Sequence, residues 1–295
     1  DENNQDGIRP NSVNVSLLAN GTVKETVDIT AANNWKYTFE NLPEKANGQV
    51  INYTVVENTV VSGYSSTVDG YTITNTHDTD KTSITATKVW DDANDQDGIR
   101  PTSVELTLYA DSVEKQTVTV NAESNWRYTF TDLPVNSNGT PIVYTVDEKT
   151  VPTKYIKTVN GYTVTNSYIP ETTEVTATKV WDDANDQDGI RPISVEIILY
   201  ADGVEKDTQV ITLADDWKAI FSNLPKYKNG GQLIEYTVDE NVVANGYTKL
   251  VNGNTITNSH IPAITEVTAT KVWNDANNQD GIRPTSVEIT LYADG

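Results

Sequence analysis

The sequence predicts an all-β protein made of tandem immunoglobulin-like β-sandwich domains of about seven strands each. Three observations carry this. One unit recurs every 91 or 92 residues. Within each unit apolar and polar residues alternate with a period of two, with almost no helical period. Asp-Gly and Asn-Gly pairs separate the alternating runs, as hairpin turns require.

The repeat is fixed by its motifs. Gln-Asp-Gly-Ile-Arg-Pro stands at 5–10, 96–101, 187–192 and 279–284. A tryptophan after Asn or Asp recurs at Trp35, Trp126 and Trp217. Tyr-Thr-Val ends two residues before Glu57, Glu148 and Glu240, and Thr-Asn recurs at Asn75, Asn166 and Asn258. A period near 90 residues is too long for a solenoid and fits one small domain per repeat.

The elements of the second repeat follow in order. Ile84, Ala86, Lys88 and Trp90 share one face of the first strand. Val104, Leu106, Leu108 and Ala110 share a face of the second, and Val118 and Val120 mark the third. Trp126, Tyr128 and Phe130 alternate with Arg127 and Thr129, predicting a strand that includes the tryptophan. Ile142, Tyr144, Val146 and Glu148 share a face of the next strand, and Tyr162, Val164, Asn166 and Tyr168 one of the last. Turns are expected at Asp97-Gly98, Asn138-Gly139 and Asn160-Gly161.

The expected domains are 1–77, lacking its first strand; 82–169 and 173–261, both complete; and 264–295, the start of a fourth. The chain reads as an internal piece of a longer protein. The short connections are not Gly/Ser-rich, and two contain proline (Pro170 and Pro262), which favours semi-rigid spacing.

Composition narrows the function. The net charge of −21 disfavours nucleic acid and anionic membrane surfaces, both of which call for basic patches. No apolar run is long enough to span a membrane. Cysteine and methionine are absent, which suits an exposed extracellular life without disulfides.

Parity places three polar residues of each complete repeat on inward faces, because side chains two apart on a strand point the same way. They are Lys88, Glu148 and Asn166 in the second repeat, and Lys179, Glu240 and Asn258 in the third. Burying an unpaired ammonium or carboxylate costs several kcal/mol. Desolvation favours the neutral amine and the protonated acid. A neutral amine is a nucleophile, and a protonated acid can polarise the asparagine carbonyl. Attack with loss of ammonia would then leave an amide joining the first strand to the last. A buried Lys–Glu ion pair bridged by Asn satisfies the same parity, so the residues alone leave both readings open.

Lys-Val-Trp-Asp-Asp, Asn-Asp-Gln-Asp-Gly-Ile-Arg-Pro, Asn-Trp, Leu-Pro, Tyr-Thr-Val-Asp-Glu and Thr-Val-Thr-Asn together resemble the B-type repeat domain of collagen adhesins, the Cna-B family of Gram-positive surface proteins. The resemblance runs through essentially the whole chain. It implies an inverse immunoglobulin-like, prealbumin-like sandwich, a cell-wall or cell-surface location, and a Lys–Asn isopeptide bond with a catalytic acid. By motif position these roles fall on Lys88, Asn166 and Glu148, and on Lys179, Asn258 and Glu240. The first repeat keeps Glu57 and Asn75 without a matching lysine, and Lys271 has no acid or asparagine after it.

Other sites are weaker. Asp92, Asn94 and Gln96 have the one-three-five spacing of calcium ligands, as do Asp183, Asn185 and Gln187, and Asp275, Asn277 and Gln279. The glycine and the twelfth-position glutamate of a calcium loop are missing, so the expected metal complement and cofactor complement are both none. The only histidines are His77 and His260, which argues against a zinc site or a catalytic triad. Trp35, Trp126 and Trp217 read as core rather than as a sugar platform.

The expected function is therefore a structural stalk segment of a surface adhesin, stiffened by single-turnover self-crosslinking and not an enzyme. The alternatives are a host matrix-binding module, which a binding screen separates, and a calcium-rigidified rod, which calorimetry with chelator separates. Expected partners are neighbouring domains of the parent adhesin. Head-to-tail self-association, with Lys271 of one chain meeting Asn75 of another, is a further expectation.

Overall fold

The computed structural model describes residues 1–59 and 61–294; Gly295, the end of the expected fourth segment, lies outside them. The alternating patterns become strands, and no α-helix forms among the described residues. The first repeat contains β1 (Ser12–Ala19), β2 (Thr22–Thr30), β3 (Lys45–Ala46), β4 (Gln49–Val50), β5 (Tyr53–Glu57), β6 (Ser65–Asp69) and β7 (Thr72–Thr76). The second contains β8 (Lys81–Asp91), β9 (Ser103–Ala110), β10 (Val113–Asn121), β11 (Arg127–Pro134), β12 (Asn136–Ser137), β13 (Thr140–Pro141), β14 (Tyr144–Asp147), β15 (Ile156–Asn160) and β16 (Thr163–Ser167). The third contains β17 (Thr172–Asp182), β18 (Ser194–Ala201), β19 (Val204–Thr212), β20 (Lys218–Pro225), β21 (Tyr227–Lys228), β22 (Gln232–Leu233), β23 (Tyr236–Glu240), β24 (Thr248–Asn252) and β25 (Thr255–Ser259).

In the second repeat two sheets face each other. One has the order β10-β9-β14 and the other β11-β8-β16-β15, with β12-β13 as a short separate hairpin. Asn138 and Gly139 both take positive φ, 50° and 76°, at that hairpin's tip, as an Asn-Gly turn allows. Ile84, Ala86, Val104, Leu106, Leu108, Val120, Phe130, Val146 and Val164 form the core between the sheets. The third repeat duplicates this plan, with sheets β19-β18-β23 and β20-β17-β25-β24 and a core built on Ile197, Leu199, Ile211, Phe221 and Ile256.

The first and last strands of each complete repeat are direct neighbours and run parallel. Lys88 pairs with Val164 and Trp90 with Asn166; Lys179 pairs with Ile256 and Trp181 with Asn258. A side chain from the first strand can therefore reach diagonally to the last.

The predicted strand through Trp126 needs correcting. Asn125 and Trp126 both have positive φ, 52° and 57°, and β11 starts only at Arg127. Trp35 and Trp217 repeat this left-handed geometry. The tryptophan is set in a tight turn and packs edge-on against Trp90, with ring centroids 5.2 Å apart. Tyr128, assigned inward by alternation, is 38% exposed.

In the first repeat β2-β1-β5 form one sheet, and β6 pairs only with β7. Residues 36–40, which correspond to the start of β11, form no strand, and Tyr37 is exposed. Residues 262–294 form no strand, and Val267, Val272 and Ile289 are exposed.

Candidate functional site

The three polar residues of each complete repeat lie in the core. In the second repeat Lys88 is 3% exposed, and Glu148 and Asn166 are 0% exposed. β8 delivers Lys88, β16 delivers Asn166, and Glu148 follows β14 on the opposite sheet. Lys88 Nζ donates to the carbonyl of Val89 at 3.0 Å and reaches that of Val164 at 3.5 Å. It also lies 4.1 Å from the centre of the Trp90 ring. Both carboxyl oxygens of Glu148 and both amide atoms of Asn166 are buried without a hydrogen-bond partner among the described residues. Such a cluster is rare in a folded core and costs stability.

Desolvation sets the protonation states. Burial pulls Lys88 down to about 8 against the opposing charge of Glu148. Burial pushes the Glu148 carboxyl up, against the pull of Lys88. Both shifts favour neutral forms.

The third repeat repeats the arrangement. Lys179 is 3% exposed, Glu240 2% and Asn258 0%. Lys179 Nζ donates to Val180 O at 3.3 Å and stands 4.0 Å from the Trp181 ring centre. Burial brings its pKa to about 8. Asn258 Nδ2 donates to Glu240 Oε1 at 3.1 Å, leaving Asn258 Oδ1 unpaired among the described residues. The acid therefore meets the amide nitrogen, where the sequence reading expected it on the carbonyl oxygen. That nitrogen is the one an attacking amine would displace.

In the first repeat Asn75 Nδ2 donates to Glu57 Oε1 at 2.9 Å, and Ser66 Oγ donates to Glu57 Oε2 at 2.9 Å. Glu57 and Asn75 thus meet as Glu240 and Asn258 do. Lys271 lies in the exposed segment after β25 and donates to Val272 O at 3.2 Å.

Sequence reading missed two side-chain systems. Asp92 is 2% exposed and forms a fork with Arg100. It also accepts from Tyr155 OH at 2.8 Å and from Asp95 N–H at 3.0 Å. Arg100 lies 5.7 Å from the Trp90 ring centre, so the indole contacts both Lys88 and Arg100. Asp183, Arg191, Tyr247 and Trp181 repeat the set. Of the side chains that the calcium reading assigned to a cation, Asp92 and Asp183 have their oxygens engaged by an arginine. An Asp and an Arg eight residues apart in all four repeats was the available signal.

The second system is a clasp on each connection. Asp6 Oδ2 accepts from His77 Nε2 and Asp80 N–H, each at 2.9 Å. Asp97 Oδ2 accepts from Tyr168 OH and Glu171 N–H, each at 2.8 Å. Asp188 Oδ2 accepts from His260 Nε2 and Ala263 N–H, each at 2.9 Å. These are the aspartates of the Gln-Asp-Gly motif, which sequence reading treated as turn residues alone.

Comparison with known proteins agrees with this architecture. The family described as the Cna protein B-type domain matches residues 1–76, 84–167, 175–259 and 267–295. A collagen adhesin of Staphylococcus aureus is 46% identical over 301 residues, spanning 100% of this chain and 25% of the relative. The chain thus spans about a quarter of that protein. The crystal structure of two B repeat units of the collagen binding protein of Staphylococcus aureus is 45% identical, with a TM-score of 0.60, covering 96% of this chain and 77% of the other. A single B repeat unit of the same protein is 40% identical over 62% of this chain and 100% of the other, with a TM-score of 0.30. Repeat by repeat, the chain belongs to the Cna protein B-type domain family.

Proposed function

We propose that this chain is a structural stalk segment of a cell-wall-anchored surface adhesin, whose complete repeats close themselves with Lys88–Asn166 and Lys179–Asn258 isopeptide bonds. The observation that carries the reading is the Lys88, Glu148 and Asn166 cluster, buried in one core with its acid and amide unpaired among the described residues. A settled ion pair would satisfy those atoms.

The reaction follows from the chemistry of the three buried groups. The neutral Lys88 Nζ attacks Asn166 Cγ and forms a C–N bond. The Cγ–Nδ2 bond breaks, and the displaced nitrogen leaves as ammonia. Glu148 starts protonated, delivers its proton to the departing nitrogen and takes up the one that Nζ sheds, so it ends as it began. Exclusion of water protects the tetrahedral intermediate and strengthens the electrostatic interactions among the three groups. The reaction runs once per domain and needs no cofactor.

The mechanical consequence rests on topology. Tension enters a repeat through its first strand and leaves through its last. A bond between β8 and β16 passes that tension from Lys88 to Asn166 and leaves the intervening chain unloaded. Force spectroscopy on the whole chain tests this. The second and third repeats should not extend, and Lys88→Ala should make the second extend alone. Extension of both wild-type repeats would refute the reading.

The name of the Staphylococcus relative raises a second reading, that this segment itself binds collagen. Only a quarter of that protein corresponds to this chain. Immobilised collagen should retain none of the segment if the stalk reading holds.

A further inference from the structure

The backbone of the acid is held in an unusual way. β14 and β23 are edge strands of the three-stranded sheets, and β15 and β24 are edge strands of the four-stranded sheets. An edge strand leaves outward-facing N–H and C=O groups without a ladder partner. At Glu148 both main-chain groups are taken by side chains. Its N–H donates to Asp147 Oδ1 at 2.8 Å, and its C=O accepts from Lys157 Nζ at 2.8 Å. Lys157 Nζ also donates to Asp147 Oδ1 at 2.6 Å, which closes the set.

Lys157 comes from the opposite sheet, where it pairs across β15 and β16 with Asn166 itself. One side chain thus ties the strand carrying the amide to the residue carrying the acid. The third repeat builds the same device. Glu240 N–H donates to Asp239 Oδ1 at 2.7 Å, Lys249 Nζ donates to Glu240 O at 3.1 Å and to Asp239 Oδ1 at 2.6 Å, and Lys249 pairs with Asn258. The first repeat lacks both members. Val56 stands in place of the aspartate and Ser66, paired with Asn75, in place of the lysine. There the hydroxyl bonds the carboxyl of Glu57 directly.

We propose that Lys157 with Asp147, and Lys249 with Asp239, are positioning residues for crosslinking, fixing the main chain of the acid so that its carboxyl is held against the asparagine amide. This rests on the crosslinking reading above. These residues touch no reacting atom; they act through the glutamate. A surface ion pair alone contributes little stability, whereas a small displacement of a reacting group can slow a reaction by orders of magnitude.

Time-resolved cell-free synthesis of the full chain tests the role, with peptide mass mapping to follow ammonia loss in each repeat. Lys157→Met should slow the second repeat by a factor on the order of 10 to 100 and leave the third at its wild-type rate. Lys157→Arg, which keeps the charge and the donors, should restore most of the rate. A merely structural residue would not shift the pH profile. Here the acidic limb of the second repeat should move to higher pH in Lys157→Met, because Lys157 no longer draws the Glu148 carboxyl down. If Lys157→Met fails to fold, Asp147→Asn keeps the acceptor for Glu148 N–H and should still slow the second repeat. Unchanged rate and pH profile in the folded variants would overturn the proposal. If neither wild-type repeat ever loses ammonia, the crosslinking reading falls and this role falls with it.

Discussion

Replacing Glu148 by Gln should leave the second repeat folded and unbonded. The substitution keeps the volume of a side chain that is 0% exposed, so it opens no cavity. It removes the carboxyl proposed to carry protons between Lys88 and Asn166. Without the bond, nearly the whole domain from β8 to β16 regains its freedom in the unfolded state. A closed loop of this length restricts the unfolded chain by about 4.5 kcal/mol. Relief of a buried carboxyl offsets a fraction of that. For a domain of this size the loss corresponds to a fall in Tm of roughly 20–30 °C. Differential scanning calorimetry should show one transition moving down by that amount and the third repeat's transition staying in place. A second repeat that still loses ammonia at the normal rate would show that Glu148 has no part in the chemistry. Loss of the bond with no fall in Tm would show that loop closure does not stabilise the fold.

Bond formation should have a bell-shaped pH dependence, because the productive state pairs a neutral amine with a protonated acid. The alkaline limb in each complete repeat should lie near the lysine pKa of about 8; a rate that rises without limit above it would exclude a proton-carrying acid. The histidine clasps make the connections sensitive to pH. His77 Nδ1 faces the Gly63 carbonyl at 2.8 Å and its Nε2 faces Asp6 at 2.9 Å, so both nitrogens must donate and the ring must be charged. The hydrogen bond to Asp6 raises the His77 pKa, so this stabilisation is complete below the unfolded value of about 6.5 and is lost as pH rises through the folded value. Histidine NMR should find doubly protonated rings at pH 6.5, with Asp80 and Ala263 amides losing protection at higher pH while Glu171 does not; neutral rings would refute the clasp. In concentrated solutions of this 295-residue chain, the first repeat's groove, lined by Val15, Leu17, Trp35 and Ile73, should accept residues 267–273 of a second copy. Detergent-resistant oligomers should form and disappear in Lys271→Ala; a strictly monomeric chain contradicts this.

Much of the site was legible because a strand shows only two faces. Parity alone put Lys88 beside Ala86 and Asn166 beside Val164, and all four are buried. What alternation could not show was geometry made in three dimensions. Trp126 continues the period of Tyr128 and Phe130 yet sits in a left-handed turn, because the indole must fold back onto Trp90. The parallel contact of β8 with β16 is a long-range pairing with no local signal. Asp147 and Lys157 carry no sequence signal of their own, and their meeting at Glu148 depends on two sheet edges coming together. Asp92 and Arg100 were visible as a fixed spacing, but the acidic loop drew attention to metal ligation when the Asp92 carboxylate is paired with Arg100.

The most direct test is the intact mass of the folded wild-type chain, followed by peptide mapping of the cross-linked fragments. The account predicts a mass lower by two molecules of ammonia, with branched peptides joining Lys88 to Asn166 and Lys179 to Asn258. Mapping separates these from ammonia lost at Asn-Gly turns such as Asn138-Gly139, which leaves no branch. An unshifted mass, or ammonia loss without those two branches, would contradict the account.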